Sequence, residues 1–159
     1  MVRFLIIRFS SMGDIILTTP VLRHLKNQVD GAEIHYLTKS AFIPLLAANP
    51  YIDRIHPFEG NMTKCIRDLR QTGFDYIIDL HNNARSARIK FALKRMYFTV
   101  SKLNLKKWIY VNLKLNLLPD SHMVDRNLDT IRMFISDRDR LGLDYFIPRE
   151  ERILSLIHI

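Results

Sequence analysis

Short apolar blocks alternate along this chain with stretches whose apolar residues recur every three or four positions. The blocks read as strands. Phe4 to Phe9, Glu33 to Leu37, Arg54 to Pro57, Tyr76 to Leu80 and Tyr97 to Val100 are expected in that state. The longer stretches read as helices: Ile15 to Val29, Ala41 to Ala48, Met62 to Thr72, Ala84 to Arg95 and Val124 to Ile135. Pro20 falls inside the first of these and predicts an irregular first turn. Ala87, Phe91, Ala92 and Leu93 are expected to face inward from the fourth. Strand and helix in regular alternation predict an α/β domain, a parallel sheet with helices on both faces. Sites in such sheets lie at the carboxyl ends of the strands.

Two loops occupy that position with polar chemistry. After the first strand comes Ser10-Ser11-Met12-Gly13-Asp14. It offers two hydroxyls, a glycine that lets a ligand approach, and a carboxylate. Neither a G-x-G-x-x-G nor a Gly-Lys-Ser/Thr pattern is present, so it is no dinucleotide fingerprint and no P-loop. Asp14 reads either as a helix N-cap or as a general base taking a proton from a hydroxyl nucleophile. After the fourth strand comes Asp79-Leu80-His81-Asn82-Asn83-Ala84-Arg85-Ser86. One asparagine is expected to cap the following helix. His81, Arg85 and Arg88 are left as groups able to meet a carboxylate or phosphate. No His, Cys and Asp set shows ligand spacing, so no metal is expected.

Composition adds a location for the charge. The 159 residues carry a formal net charge of +8. Nine of the 24 Lys and Arg residues lie between Leu80 and Pro119, where there is no Asp or Glu. They are Arg85, Arg88, Lys90, Lys94, Arg95, Lys102, Lys106, Lys107 and Lys114. The rest of the chain is nearly neutral. Such a block attracts phosphate, nucleic acid or an anionic lipid surface, unless it is simply a solvated face. Trp108 beside Lys106 and Lys107 reads equally as an interfacial anchor or as core. A single cysteine, Cys65, excludes an internal disulfide and suggests a reducing compartment. The apolar run between Arg3 and Arg8 is too short for a signal peptide or membrane span.

Three pieces of this sequence resemble one family. They are Ile6-Ile7-Arg8-Phe9-Ser10-Ser11-Met12-Gly13-Asp14-Ile15-Ile16-Leu17-Thr18-Thr19-Pro20-Val21-Leu22, then Tyr76-Ile77-Ile78-Asp79-Leu80-His81-Asn82-Asn83-Ala84-Arg85-Ser86, and more loosely His122-Met123-Val124-Asp125-Arg126. Together they look like the N-terminal half of the lipopolysaccharide heptosyltransferases, glycosyltransferase family 9.

The resemblance implies a Rossmann-like domain, the acceptor-binding half of an inverting GT-B enzyme. It implies transfer of heptose from ADP-heptose to the lipopolysaccharide inner core, with no metal or other cofactor. Asp14 takes the place of the family's catalytic base. Ser10, Ser11, Met12 and Gly13 would shape the acceptor end of the cleft, with His81, Asn82, Asn83, Arg85, Ser86, Arg88 and Arg126 as further acceptor contacts. Lys90, Lys94, Arg95, Lys102, Lys106, Lys107 and Trp108 would form a membrane or phosphate patch. The implied partners are a phosphorylated glycolipid acceptor, an anionic membrane surface and, in the whole enzyme, the nucleotide-sugar donor; no nucleic acid is expected. The implied location is cytoplasmic, peripheral at the inner face of the inner membrane. Residues 1–147 are expected to form the domain. Residues 148–159 are expected to begin an interdomain linker with a truncated or artefactual end, so the chain alone should not transfer sugar. A non-catalytic Rossmann-like binding domain and a basic nucleic-acid-binding α/β module are the alternatives.

Overall fold

The computed structural model describes residues 1–101, 122–139 and 141–147. Its centre is β1 (Val2–Ile7), six residues with four fully buried. A strand buried on both faces needs apolar side chains at every position, which is why β1 reads as a run and not an alternation. Phe4 and Ile6 enter one core cluster, Leu5 and Ile7 the other. Each such side chain contributes about 1.5–3 kcal/mol by leaving water. β1 pairs in parallel with β2 (Ala32–Lys39) and with β4 (Tyr76–Asp79). β3 (Arg54–Phe58) and β5 (Met96–Thr99) complete a five-stranded parallel sheet in the order β3-β2-β1-β4-β5. The α/β Rossmann-like expectation holds.

The first helical stretch is two helices. α1 (Met12–Ile16) ends at Leu17, and α2 (Thr19–Gln28) begins two residues on. Pro20 causes no loss there, because a helix's first residues have no N–H partner to give up. The Thr18 hydroxyl fixes the break. It lies 2.6 Å from the Ile15 carbonyl oxygen and 2.8 Å from the buried Tyr36 hydroxyl. The stretch expected as Ala41 to Ala48 is instead a 3-10 turn, Ser40–Leu45, with Pro44 inside it. Proline removes the donor a longer α-helix would need.

On the other face lie α3 (Met62–Thr72) and α4 (Ala84–Leu93). α4 ends at Leu93, two residues earlier than expected, and Lys94 follows it in the left-handed conformation. Phe91, expected inside, is 69% exposed; Ile89 is the residue α4 buries against Leu5 and Ile77. α5 (Met123–Asp129) is shorter than the pattern suggested and continues as turns through Phe134. The final described segment is pinned to α2 by Arg23, which is ion-paired with Asp139 and Asp144. Lys102, Lys106, Lys107, Trp108 and residues 148–159 lie outside the described residues.

Candidate functional site

The loops after β1 and β4 meet because β1 and β4 are neighbours ending in register, Ile7 opposite Asp79. Arg8, one residue past the strand, ties them together. Its guanidinium donates to the Ser10 carbonyl (2.8 Å), to the Leu80 carbonyl, and to Asp14 Oδ2 (2.5 Å). Phe9 packs edge-on against His81, ring centroids 5.3 Å apart.

Asp14 is not the N-cap. Ser11 holds that position, and Asp14 is the third helical residue, whose carboxylate reaches back. The Ser11 N–H (3.2 Å) and hydroxyl (2.9 Å) both donate to Asp14 Oδ2, the oxygen that Arg8 also meets. All three donors therefore converge on one oxygen. Among the described residues nothing bonds Oδ1, on a side chain still 33% exposed. Burial alone would raise the acid's pKa. The Ser11 hydrogen bonds and then the Arg8 charge outweigh it, holding Asp14 below the ordinary carboxylate value and ionised at neutral pH. Beside it, a Cβ on Gly13 would meet nothing within 4 Å, so the chain's own packing does not require a glycine there. Met12 is exposed. The Ser10–Ser11 peptide bond is cis.

The second loop is organised by Asp79, which has no exposed surface. It accepts from the His81 N–H (3.0 Å), the Asn82 N–H (2.8 Å) and the Ser86 hydroxyl (2.8 Å), and pairs with Lys90 at 2.7 Å. Lys90 also donates to Thr99 Oγ1. Lys90 is thus a buried counter-ion, not part of a surface patch; the charge of Asp79 drew it inward. Asn83 caps α4 by accepting from the Ser86 N–H, and the Ser86 hydroxyl accepts in turn from the Asn83 N–H. Asn82, in the left-handed region at φ 50°, donates to the Val100 carbonyl. Asn82, Asn83 and Ser86 therefore hold the loop's shape, while His81 lies beside the Asp14 loop.

Arg85 and Arg88 part company. Arg85 lines a cleft of about 420 Å³ at the carboxyl edge of the sheet, with Lys39, Ser40, Phe58, Glu59 and Gly60. Arg88 points into a groove between α3 and α4. Arg126 donates to the Ser101 carbonyl, and the next residue, Asn127, donates to the Leu17 carbonyl at the end of α1. Lys94 and Arg95 are exposed at the far end of α4. Arg8, Lys39 and the structural part of Asp79 were not singled out from the sequence. A charged residue directly ending an apolar strand, as Arg8 does, was the available signal. Among the described residues no group of His, Cys, Asp and Glu could hold a metal ion, and no helix is long and apolar enough to cross a membrane.

No protein-family model matches the chain. It is 30% identical over 154 residues to lipopolysaccharide heptosyltransferase 1 of Campylobacter coli, covering 91% of this chain and 43% of that protein. It is 28% identical to lipopolysaccharide heptosyltransferase 3 of Escherichia coli K12, covering 75% of this chain and 38% of that protein. In structure it is similar to the glycosyltransferase family 9 protein of Veillonella parvula, with a TM-score of 0.77 and 20% identity over 98% of this chain and 48% of that one. It also matches E. coli heptosyltransferase WaaC with ADP-2-deoxy-2-fluoro heptose, TM-score 0.66 and 18% identity over 89% of this chain and 51% of that one. The chain spans less than half the length of the curated relatives it matches. These likenesses support the lipopolysaccharide heptosyltransferases, glycosyltransferase family 9, as the family that this chain resembles.

Proposed function

We propose that this chain is the N-terminal, acceptor-binding half of an inverting glycosyltransferase that moves heptose from ADP-heptose to a hydroxyl of the lipopolysaccharide inner core. The observation that carries the reading is the lopsided bonding of Asp14. Oδ2 is saturated by Ser11 and Arg8, while Oδ1 has no partner among the described residues, on a side chain that is 33% exposed. An ionised carboxylate held by one oxygen presents the other, in fixed orientation, to an acceptor hydroxyl. As that oxygen attacks the donor's anomeric carbon and the bond to the departing ADP breaks, the hydroxyl proton passes to Oδ1. The carboxylate's low basicity suits a late proton transfer, when the attacking oxygen has become strongly acidic. Arg85 and Lys39 supply the positive edge of the neighbouring cleft for a phosphate or carboxylate of the acceptor. His81 packs against Phe9, whose ring also meets Phe58 of that cleft. Such an enzyme would work at the cytoplasmic face of the inner membrane. Its donor would sit on a second domain.

The test joins this chain to a donor-binding half and compares Asp14→Asn with the parent in transfer from ADP-heptose. Loss of a general base predicts a fall in kcat of about 10²–10⁴ with unchanged circular dichroism. Activity within a few-fold of the parent would remove Asp14 from the chemistry.

A further inference from the structure

The outer surface of α4 carries a pattern that sugar transfer leaves unused. Phe91 is 69% exposed near its C-terminal end, resting edge-on against Tyr97 with ring centroids 6.4 Å apart. One turn earlier stands exposed Arg88; directly after the helix stand exposed Lys94 and Arg95. None of these three cations makes an ion pair or hydrogen bond with another described residue. Alongside runs the groove between α3 and α4, about 680 Å³, with Arg67, Arg70 and Arg88 around a floor of Ile66 and Ala92. No carboxylate lines it. Arg70 donates to the Ala92 carbonyl at 2.9 Å, bracing the two helices against each other.

An exposed aromatic ring set among unpaired cations does nothing for the core. A ring and long cationic side chains together match an interface that is apolar below and anionic above. We propose that this face of α3 and α4 docks on an anionic lipid bilayer, with Phe91 entering the headgroup region and Arg88, Lys94 and Arg95 meeting lipid phosphates. Charge complementarity selects this occupant. Two copies of a cationic face repel each other. Single-stranded nucleic acid calls for a succession of stacking rings along the charged track, and this face has one ring and its neighbour. The inference deepens the proposed function by naming the membrane-facing surface, and it moves that surface off Lys90. Its test involves no sugar transfer, so the two readings can fail separately.

The test is flotation of the purified chain with vesicles of equal parts phosphatidylcholine and phosphatidylglycerol, against vesicles of phosphatidylcholine alone. Binding is expected only with the anionic lipid. Each cation near such a surface contributes about a fivefold gain in partitioning. Reversing two, Lys94→Glu with Arg95→Glu, should therefore weaken binding by more than about tenfold. Phe91→Ser should weaken it severalfold and leave its salt dependence intact. Thermal melts of each variant report that the fold is kept. Equal binding to both vesicles, variants that bind like the parent, displacement by inorganic phosphate, tighter capture of single-stranded RNA, or a dimer abolished by Phe91→Ser would each overturn the proposal.

Discussion

Replacing Lys90 by Met removes a charge that the fold has enclosed. Lys90 retains 7% of its side-chain exposure and Asp79 none, with 2.7 Å between them. Met fills a similar volume, so packing changes little, but the Asp79 carboxylate loses its only cation among the described residues. Its remaining donors are the His81 and Asn82 N–H groups and the Ser86 hydroxyl. Removing one partner of a buried pair costs about 3–5 kcal/mol, since the surviving charge stays desolvated. The Thr99 hydrogen bond and the Tyr97 ring contact at 4.8 Å are lost in the same step. For a domain of this size each kcal/mol moves the melting midpoint by about 2–4 °C. Lys90→Met is therefore expected to melt roughly 10 °C below the parent. A thermal melt followed by circular dichroism at neutral pH measures the shift, and urea unfolding measures the free energy. Adding Asp79→Asn should recover a large part of the loss, because the amide oxygen still accepts from His81 and Asn82 without carrying charge. A single variant costing less than about 1 kcal/mol, or a double variant whose losses merely add, would refute the buried-pair reasoning.

Three further outcomes follow from the same geometry. Asp14's pKa is lowered in the folded chain, so its contribution to stability is present above pH 4 and lost as pH falls through the folded value. Asp14→Asn should accordingly flatten the acid limb of a stability profile. Burial first, then the neighbouring His35 and Arg54, press His56 down to about 4. Between about pH 6.5 and 4 the unfolded chain then takes up a proton the folded chain refuses. Stability should decline across that window as pH falls, and His56→Gln should remove that decline in melting curves. Burial, with help from Asp68, raises the Cys65 thiol to about 11. The native chain should react slowly with a disulfide reagent at pH 8 and rapidly once unfolded; equal rates would place that thiol at the surface.

The sheet was readable because β1 and β4 sit in its middle and, covered on both faces, betray themselves as short apolar runs, whereas β2 interleaves Glu33 and His35 with its apolar residues. The helices were readable in number and less so in extent. Pro20 and Pro44 each sit in an apolar stretch whose spacing continues through them, and only the hydrogen bonds of Thr18 show where one helix stops. The site loops were legible as positions at strand ends; their wiring was not. Lys90 looks like its neighbours in a basic stretch, and nothing local reveals its buried partner Asp79, the last residue of β4, which precedes the cap of the helix. Phe91 misled for the opposite reason. Hydrophobicity predicted burial, but the helix phase set by Ser86 and Ile89 turns it outward. Arg8 belongs to both loops only because β1 and β4 are neighbours, which is a property of topology.

The central claim is that these residues hold the acceptor, with Asp14 at its reacting hydroxyl. Residue-resolved NMR of the 159-residue chain, titrated separately with a phosphorylated inner-core glycolipid and with ADP-heptose, tests it most directly. The account predicts that the glycolipid shifts resonances of Ser10 to Asp14, His81 and Arg85, and that ADP-heptose leaves them unmoved. Saturable shifts in those loops with ADP-heptose, or a glycolipid that perturbs only residues elsewhere, would contradict it.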